Sequence, residues 1–134
     1  MIQAAFGSTD THLHSFEYEG VRMGVPDPEW EDDCADETET ALAEVLLGPK
    51  DRIRYTYDFG DDWVHDIVLE KVIEPNADDR RPVLITGRGA CPPEDCGGPW
   101  GYAEMKNASG LAASGRAVPR NRFIGCAPKE KPRD

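Results

Sequence analysis

Apolar and polar residues alternate most regularly from Arg52 to Phe59, with Ile53, Tyr55, Tyr57 and Phe59 on one side and Arg52, Arg54, Thr56 and Asp58 on the other. A period of two is the spacing of a half-buried β-strand. The run from Trp63 to Ile73 repeats it, setting Trp63, His65, Ile67, Leu69 and Ile73 against Val64, Asp66, Val68 and Glu70. Gly60-Asp61-Asp62 lies between the two runs and predicts a hairpin. A three-residue loop pairs 59 with 63, 57 with 65, 55 with 67 and 53 with 69. Both apolar rows then share a face, whereas a two-residue loop slips the register by one and exposes a row. His65 is therefore expected opposite Tyr57.

Upstream, His12, His14, Phe16 and Tyr18 alternate with Leu13, Ser15 and Glu17, and Gly20 turns the chain into Val21-Arg-Met-Gly24, a second and weaker hairpin. Thr38 to Leu47 carries a Thr cap, a first-turn acid, good helix formers and a Gly48-Pro49 stop, which predicts a short helix over 38–47 with Leu42, Val45 and Leu46 toward the core. Pro82 to Thr86 predicts a short strand. Gly87 to Tyr102 holds three Pro and five Gly in sixteen residues, so it reads as a stiff loop that needs special turns and rests against something. The elements together predict an α+β fold, an antiparallel-rich sheet with a central hairpin and short helices.

The 134 residues suit one domain, and no stretch approaches the roughly 20 apolar residues of a membrane span. No basic-then-apolar leader opens the chain. The formal net charge of -11 is uneven: residues 1–50 carry 12 acids and 2 bases, 51–105 carry 12 and 6, and 106–134 carry 2 and 7. An acidic surface disfavours nucleic acid, which is held largely by Lys and Arg; only the basic tail offers a weak, sequence-blind contact. That tail, from about residue 107, is small, Pro-rich and aperiodic, and is expected to be disordered. Residues 27–39 hold eight acids in thirteen positions, a solvated belt suited to a basic protein partner. Cys34, Cys91, Cys96 and Cys126 form no C-x-x-C pair, which points to reduced thiols in the cytoplasm.

Three groups could carry chemistry. Asp58, Asp61 and Asp62 cluster at the hairpin tip with His65 close behind, and clustered carboxylates can hold a divalent cation or raise one another's pKa; the same residues also suit a plain hydrophilic turn. His12 and His14 share a strand face and, with His65, could make a three-histidine metal site; half-buried strand histidines are the alternative. Cys91 is a candidate nucleophile that lacks a neighbouring base, and Glu94 and Asp95 could favour a helix beginning near Trp100 or Tyr102. None of the three outweighs a purely structural role. The expectation is therefore a non-catalytic accessory or protein-interaction module without a cofactor, the alternative being a metal-dependent hydrolase built on the clustered His and Asp residues.

Ile2-Gln-Ala-Ala-Phe-Gly7, His12-Leu-His-x-Phe16, Tyr57-Asp-Phe-Gly-Asp-Asp-Trp63 with His65, and Ala90-Cys-Pro-Pro-Glu-Asp-Cys-Gly-Gly-Pro-Trp-Gly-Tyr102 resemble, in order and spacing, the plasmid pRiA4b ORF-3-like family found on plasmids and transposons. The resemblance covers residues 1 to about 106 and implies an α+β domain of unassigned activity, with 107–134 as a separate tail. It also implies that an N-terminal strand is lacking and that the acidic, helical C-terminal region is replaced, as a frame shift or truncation would do. Ser8 stands where the family commonly has Trp, which leaves a gap if the position is buried.

Overall fold

The computed structural model describes residues 2–29, 33–74, 83–87, 91–108 and 122–124. In chain order these form α1 (Ile2–Phe6), β1 (His14–Tyr18), β2 (Val21–Gly24), β3 (Ala35–Asp36), a 3-10 turn (Glu37–Glu39), α2 (Leu42–Val45), β4 (Arg52–Tyr57), β5 (Trp63–Val68), β6 (Val83–Thr86), α3 (Gly98–Ala108) and β7 (Arg122–Ile124). Five strands make a mixed sheet in the order β3-β2-β1-β4-β5, and β6 pairs with β7 in a second, two-stranded sheet. Among the described strands only the β2–β3 pair is parallel, so the α+β, antiparallel-rich architecture expected from the pattern is the one observed.

The central hairpin keeps the predicted faces but not the predicted partners. Ile53 pairs with Ile67, Tyr55 with His65, and Tyr57 with Trp63, two residues out of the expected register. The connection is the five residues from Asp58 to Asp62. Asp58 leaves the strand with φ 56° and donates its N–H to the Leu13 carbonyl at 2.9 Å, so the ladder ends at Tyr57, two residues before Phe59. A slip of two preserves side-chain parity, which is why Ile53, Tyr55 and Tyr57 are buried while Arg52 and Arg54 face solvent. Phe59, beyond the ladder, is exposed.

The weaker hairpin closes through Glu19 and Gly20, both with positive φ (50° and 81°), as a two-residue primed turn requires. Met23, Val45 and Ile53 form the core, with Phe16, Tyr18, Leu46 and Ile67 packed against it. Fully burying such a side chain contributes about 1.5–3 kcal/mol.

The helix expected over 38–47 is split. Asp36, not Thr38, provides the cap, accepting from the Thr38 N–H at 2.8 Å and hydroxyl at 2.6 Å, so a 3-10 turn starts early. Thr40 and Ala41 are extended, and α2 restarts with the Ala41 N–H donating to Glu44 at 2.8 Å. Val45 is buried as expected, but Leu42 is exposed. The Gly/Pro-rich stretch also departs from expectation, because α3 begins at Gly98, ahead of Trp100. Gly97, φ 82°, accepts the first helical bond from the Gly101 N–H at 3.1 Å, and Pro99 falls in the first turn, where no amide donor is needed. Within the stretch expected to be disordered, Asn107 and Ala108 complete α3 and Arg122–Ile124 form β7; its other residues lie outside those described. Among the described residues no helix is long and apolar enough to cross a membrane.

Candidate functional site

Three segments distant in sequence meet at the hairpin end of the large sheet: the approach to β1 (Thr9 to Leu13), the hairpin tip (Asp58 to Asp62) and the turn before α3 (Cys91 to Gly98). Backbone contacts fix them. The Asp58 N–H reaches the Leu13 carbonyl, and the Asp61 carboxylate accepts from the Gly97 N–H at 3.2 Å. Gly98 passes so close to the Asp61 carbonyl that a Cβ there would collide with it, so glycine is what lets the turn lie against the hairpin tip.

His12 stands where they meet. Its Nε2 is 3.1 Å from Asp95 Oδ1, 3.6 Å from Asp58 Oδ2 and 3.9 Å from Glu94 Oε2. One edge of its ring lies against Tyr57, 5.9 Å between centroids. Asp58 is only 7% exposed, and its Oδ1 is held by the Gly60 and Asp61 N–H groups at 3.0 and 3.2 Å, which turns Oδ2 toward His12. Glu94 accepts from the Thr9 N–H at 2.8 Å and hydroxyl at 3.0 Å and from the Tyr57 hydroxyl at 3.1 Å. Those bonds, the Thr9 backbone donor first, hold its carboxyl below the usual range, with His12 adding to the effect.

One ligand atom each from His12, Asp58 and Asp95 lies within 4.8 Å of the others. Donors about 2.1 Å from a tetrahedral zinc stand ~3.4 Å apart, a spacing close to the 3.6 and 3.1 Å that separate His12 Nε2 from the Asp58 and Asp95 oxygens. The hydrogen bonds to Asp58 Oδ1 are the outer-shell support that fixes such a ligand.

The groups expected from the sequence are redistributed. The three histidines do not converge: His12 faces carboxylates, His14 Nε2 meets Glu37 at 3.0 Å, and His65 stacks on Phe6 with centroids 4.2 Å apart. The hairpin-tip cluster also divides, since Asp58 turns to His12, Asp61 holds the Gly97 amide and Asp62 is exposed. Glu94 and Asp95 face Thr9, Tyr57 and His12 instead of the start of α3. Among the described residues Cys91 gains no base; burial and the Glu94 carboxylate push its thiol up, away from the reactive thiolate. Thr9 and Tyr57 escaped sequence reasoning, Thr9 because nothing local marks it and Tyr57 because its place in the apolar row concealed its hydroxyl.

Beside this cluster opens a cleft whose walls include Phe6, Ser8, Tyr55, Trp63, His65 and Pro92, with Glu94 at its edge. Ser8 is part-buried there, so its small side chain leaves open the gap that a larger one would fill.

The model of the plasmid pRiA4b ORF-3-like proteins matches residues 1–114. The chain belongs to that family. An uncharacterised family relative, y4hQ of Sinorhizobium fredii, is 42% identical over 110 residues, covering 81% of this chain and 56% of its own. The crystal structure of a protein of unknown function, MM3350 from Methanosarcina mazei, superposes with a TM-score of 0.68 at 33% identity, covering 86% of this chain and 65% of its own. The chain thus spans little more than half the length of the first relative and about two-thirds of the second. The matched region contains every residue of the His12 cluster and of the cleft.

Proposed function

We propose that the family domain in this chain is a metal-dependent hydrolytic centre, with His12, Asp58 and Asp95 as ligands to a divalent transition ion and Glu94 as the adjacent base. The observation that carries this is the meeting of three carboxylates from two segments at one imidazole nitrogen supplied by a third. Three anionic groups so close repel one another, and an ion offsets that repulsion. One imidazole with carboxylate oxygens suits zinc or manganese. A bound divalent ion acidifies water. Glu94, held ionised by Thr9 and Tyr57, is placed to accept the proton. Hydrolysis then joins the hydroxyl of water to the electrophilic carbon, breaks the bond from that carbon to the leaving group, and gives the leaving group the proton.

The reading as an interaction module with a basic partner has less support, because part of the acidic belt is already engaged: Asp36 caps the 3-10 turn and Glu37 holds His14. A reducing, cytoplasmic setting stays part of the proposal, on the cysteine spacing of the sequence.

Calorimetric titration of metal-stripped protein with ZnCl2 and MnCl2 tests the proposal. About one equivalent should bind, with affinity falling at least tenfold in His12→Gln and in Asp95→Asn, both folded by circular dichroism. Absence of saturable binding, or binding that neither substitution weakens, overturns it.

A further inference from the structure

We infer that the outer edge of β5 takes an extended basic segment of a partner protein as a sixth strand of the large sheet. β5 ends the strand order β3-β2-β1-β4-β5, so among the described residues its far side has no ladder partner. Leu69 donates its N–H to the Asp51 carbonyl at 2.8 Å and accepts from the Lys50 N–H at 2.8 Å, so its backbone groups face β4. Antiparallel pairing alternates, which turns those of Ile67, His65 and Trp63 toward β4 as well and those of Val64, Asp66 and Val68 outward. Edges are ordinarily blunted by shortness, Lys, Pro or a bulge. β3, at the other edge, has two residues; β5 has six, Trp-Val-His-Asp-Ile-Val, with no Lys, Pro or Gly among them. The inner row is also less covered here: Ile53, Tyr55 and Tyr57 on β4 are buried, while their partners Ile67, His65 and Trp63 are half-buried.

Charge chooses the occupant. Residues 61–70 hold Asp61, Asp62, Asp66 and Glu70 and no Lys or Arg. The exposed side chains alternate as Asp62, Val64, Asp66, Val68 and Glu70, with Val64 47% and Val68 43% exposed. The strand that matches sets Lys or Arg against the acids on that face and apolar side chains beside Trp63, His65, Ile67 and Leu69 on the other. A second copy fits poorly. The pairing of β5 with itself that matches Val64 to Val68 also sets Asp66 against Asp66 and Asp62 against Glu70, between molecules that each carry a net charge of -11. This edge lies across the sheet from Asp36 of the acidic belt, which is in β3. The inference goes beyond the hydrolytic reading and needs no metal.

Fluorescence anisotropy of a labelled nonapeptide, Lys-Val-Thr-Val-Lys-Val-Thr-Val-Lys, titrated with the full chain, tests it. Laid antiparallel with its central Lys opposite Asp66, the peptide sets Lys against Asp62 and Glu70, Thr against Val64 and Val68, and Val along the inner row. Saturable binding is expected, at least about tenfold weaker when Glu replaces each Lys. N-methylation of the two Thr amides, which meet the open groups of Val64 and Val68, should abolish binding, whereas N-methylation of the two central Val amides, which face away, should change it less than about twofold. Val64→Pro removes an outward N–H and no bond to β4, so it should stay folded by circular dichroism and lose the peptide. Should it unfold, the two methylated peptides decide. No saturable binding, equal binding of the Glu peptide, or equal loss in the two methylated peptides overturns the inference. So does a chain that sediments as a dimer and is dissociated by Val64→Pro, since a second copy then fills the edge.

Discussion

His65 looks chemical in sequence and lies within an aromatic layer in the fold. On β5 it faces Tyr55 across the sheet and lies under Phe6 of α1, and burial lowers its pKa below the usual histidine value. The folded state therefore holds it neutral, while the unfolded chain takes up a proton below about pH 6.5. Its contribution to stability is complete above that pH and is lost as the pH falls toward the lowered folded value, because in that window the unfolded state binds more protons. Urea melts of wild-type and His65→Leu protein from pH 7.5 to 5 should show the wild type losing more stability than the variant below pH 6.5. Parallel pH profiles would remove His65 as the source. A histidine in an apolar row was legible as partly buried, and its neighbours were not, since Phe6 lies 59 positions away and nothing in either local pattern links them.

At the scale of elements, the turn before α3 depends on two glycine requirements that can be separated. Gly20 and Gly98 both have positive φ, 81° and 66°, so alanine at either place strains the backbone by about 1–2 kcal/mol. A Cβ at Gly20 meets nothing within 4 Å, whereas one at Gly98 strikes the Asp61 carbonyl. Gly20→Ala should therefore lower stability by about 1 kcal/mol and leave zinc affinity unchanged. Gly98→Ala should push the turn from the hairpin tip, carry Asp95 away from His12 and lower zinc affinity at least tenfold. Equal zinc affinity in the two variants would show that the turn does not position Asp95. The same contrast explains what sequence reasoning reached. A period of two fixes which side chains face the core, so the burial of Ile53, Tyr55 and Tyr57 was legible. The pairing was not, because the residue that ends the ladder, Asp58, is drawn out by the Leu13 carbonyl of another segment. Glu94 and Asp95 likewise follow local turn chemistry in sequence, and their real partners, Thr9 and His12, are more than 80 positions away.

For the whole molecule, a net charge of -11 on 134 residues has two separable effects. Diffuse self-repulsion destabilises the compact state and is relieved by any electrolyte, since screening shortens its range to about 10 Å at 0.1 M salt. An ion held at His12, Asp58 and Asp95 acts instead by mass action, stabilising the fold by about 2.7 kcal/mol at a hundredfold excess over its Kd. Glu29, Asp33 and Glu39 are exposed belt acids outside the cluster, so the combined variant Glu29→Gln, Asp33→Asn, Glu39→Gln lowers the general repulsion and spares the site. Its melting temperature should exceed that of the wild type at about 0.05 M NaCl, and the gap should close at about 0.5 M, where exposed charges are screened. The rise produced by micromolar zinc should be the same in both proteins and vanish in His12→Gln. If the belt variant loses the zinc response while His12→Gln keeps it, the cation is condensing on the acidic surface at large, and the cluster around His12 is not its site.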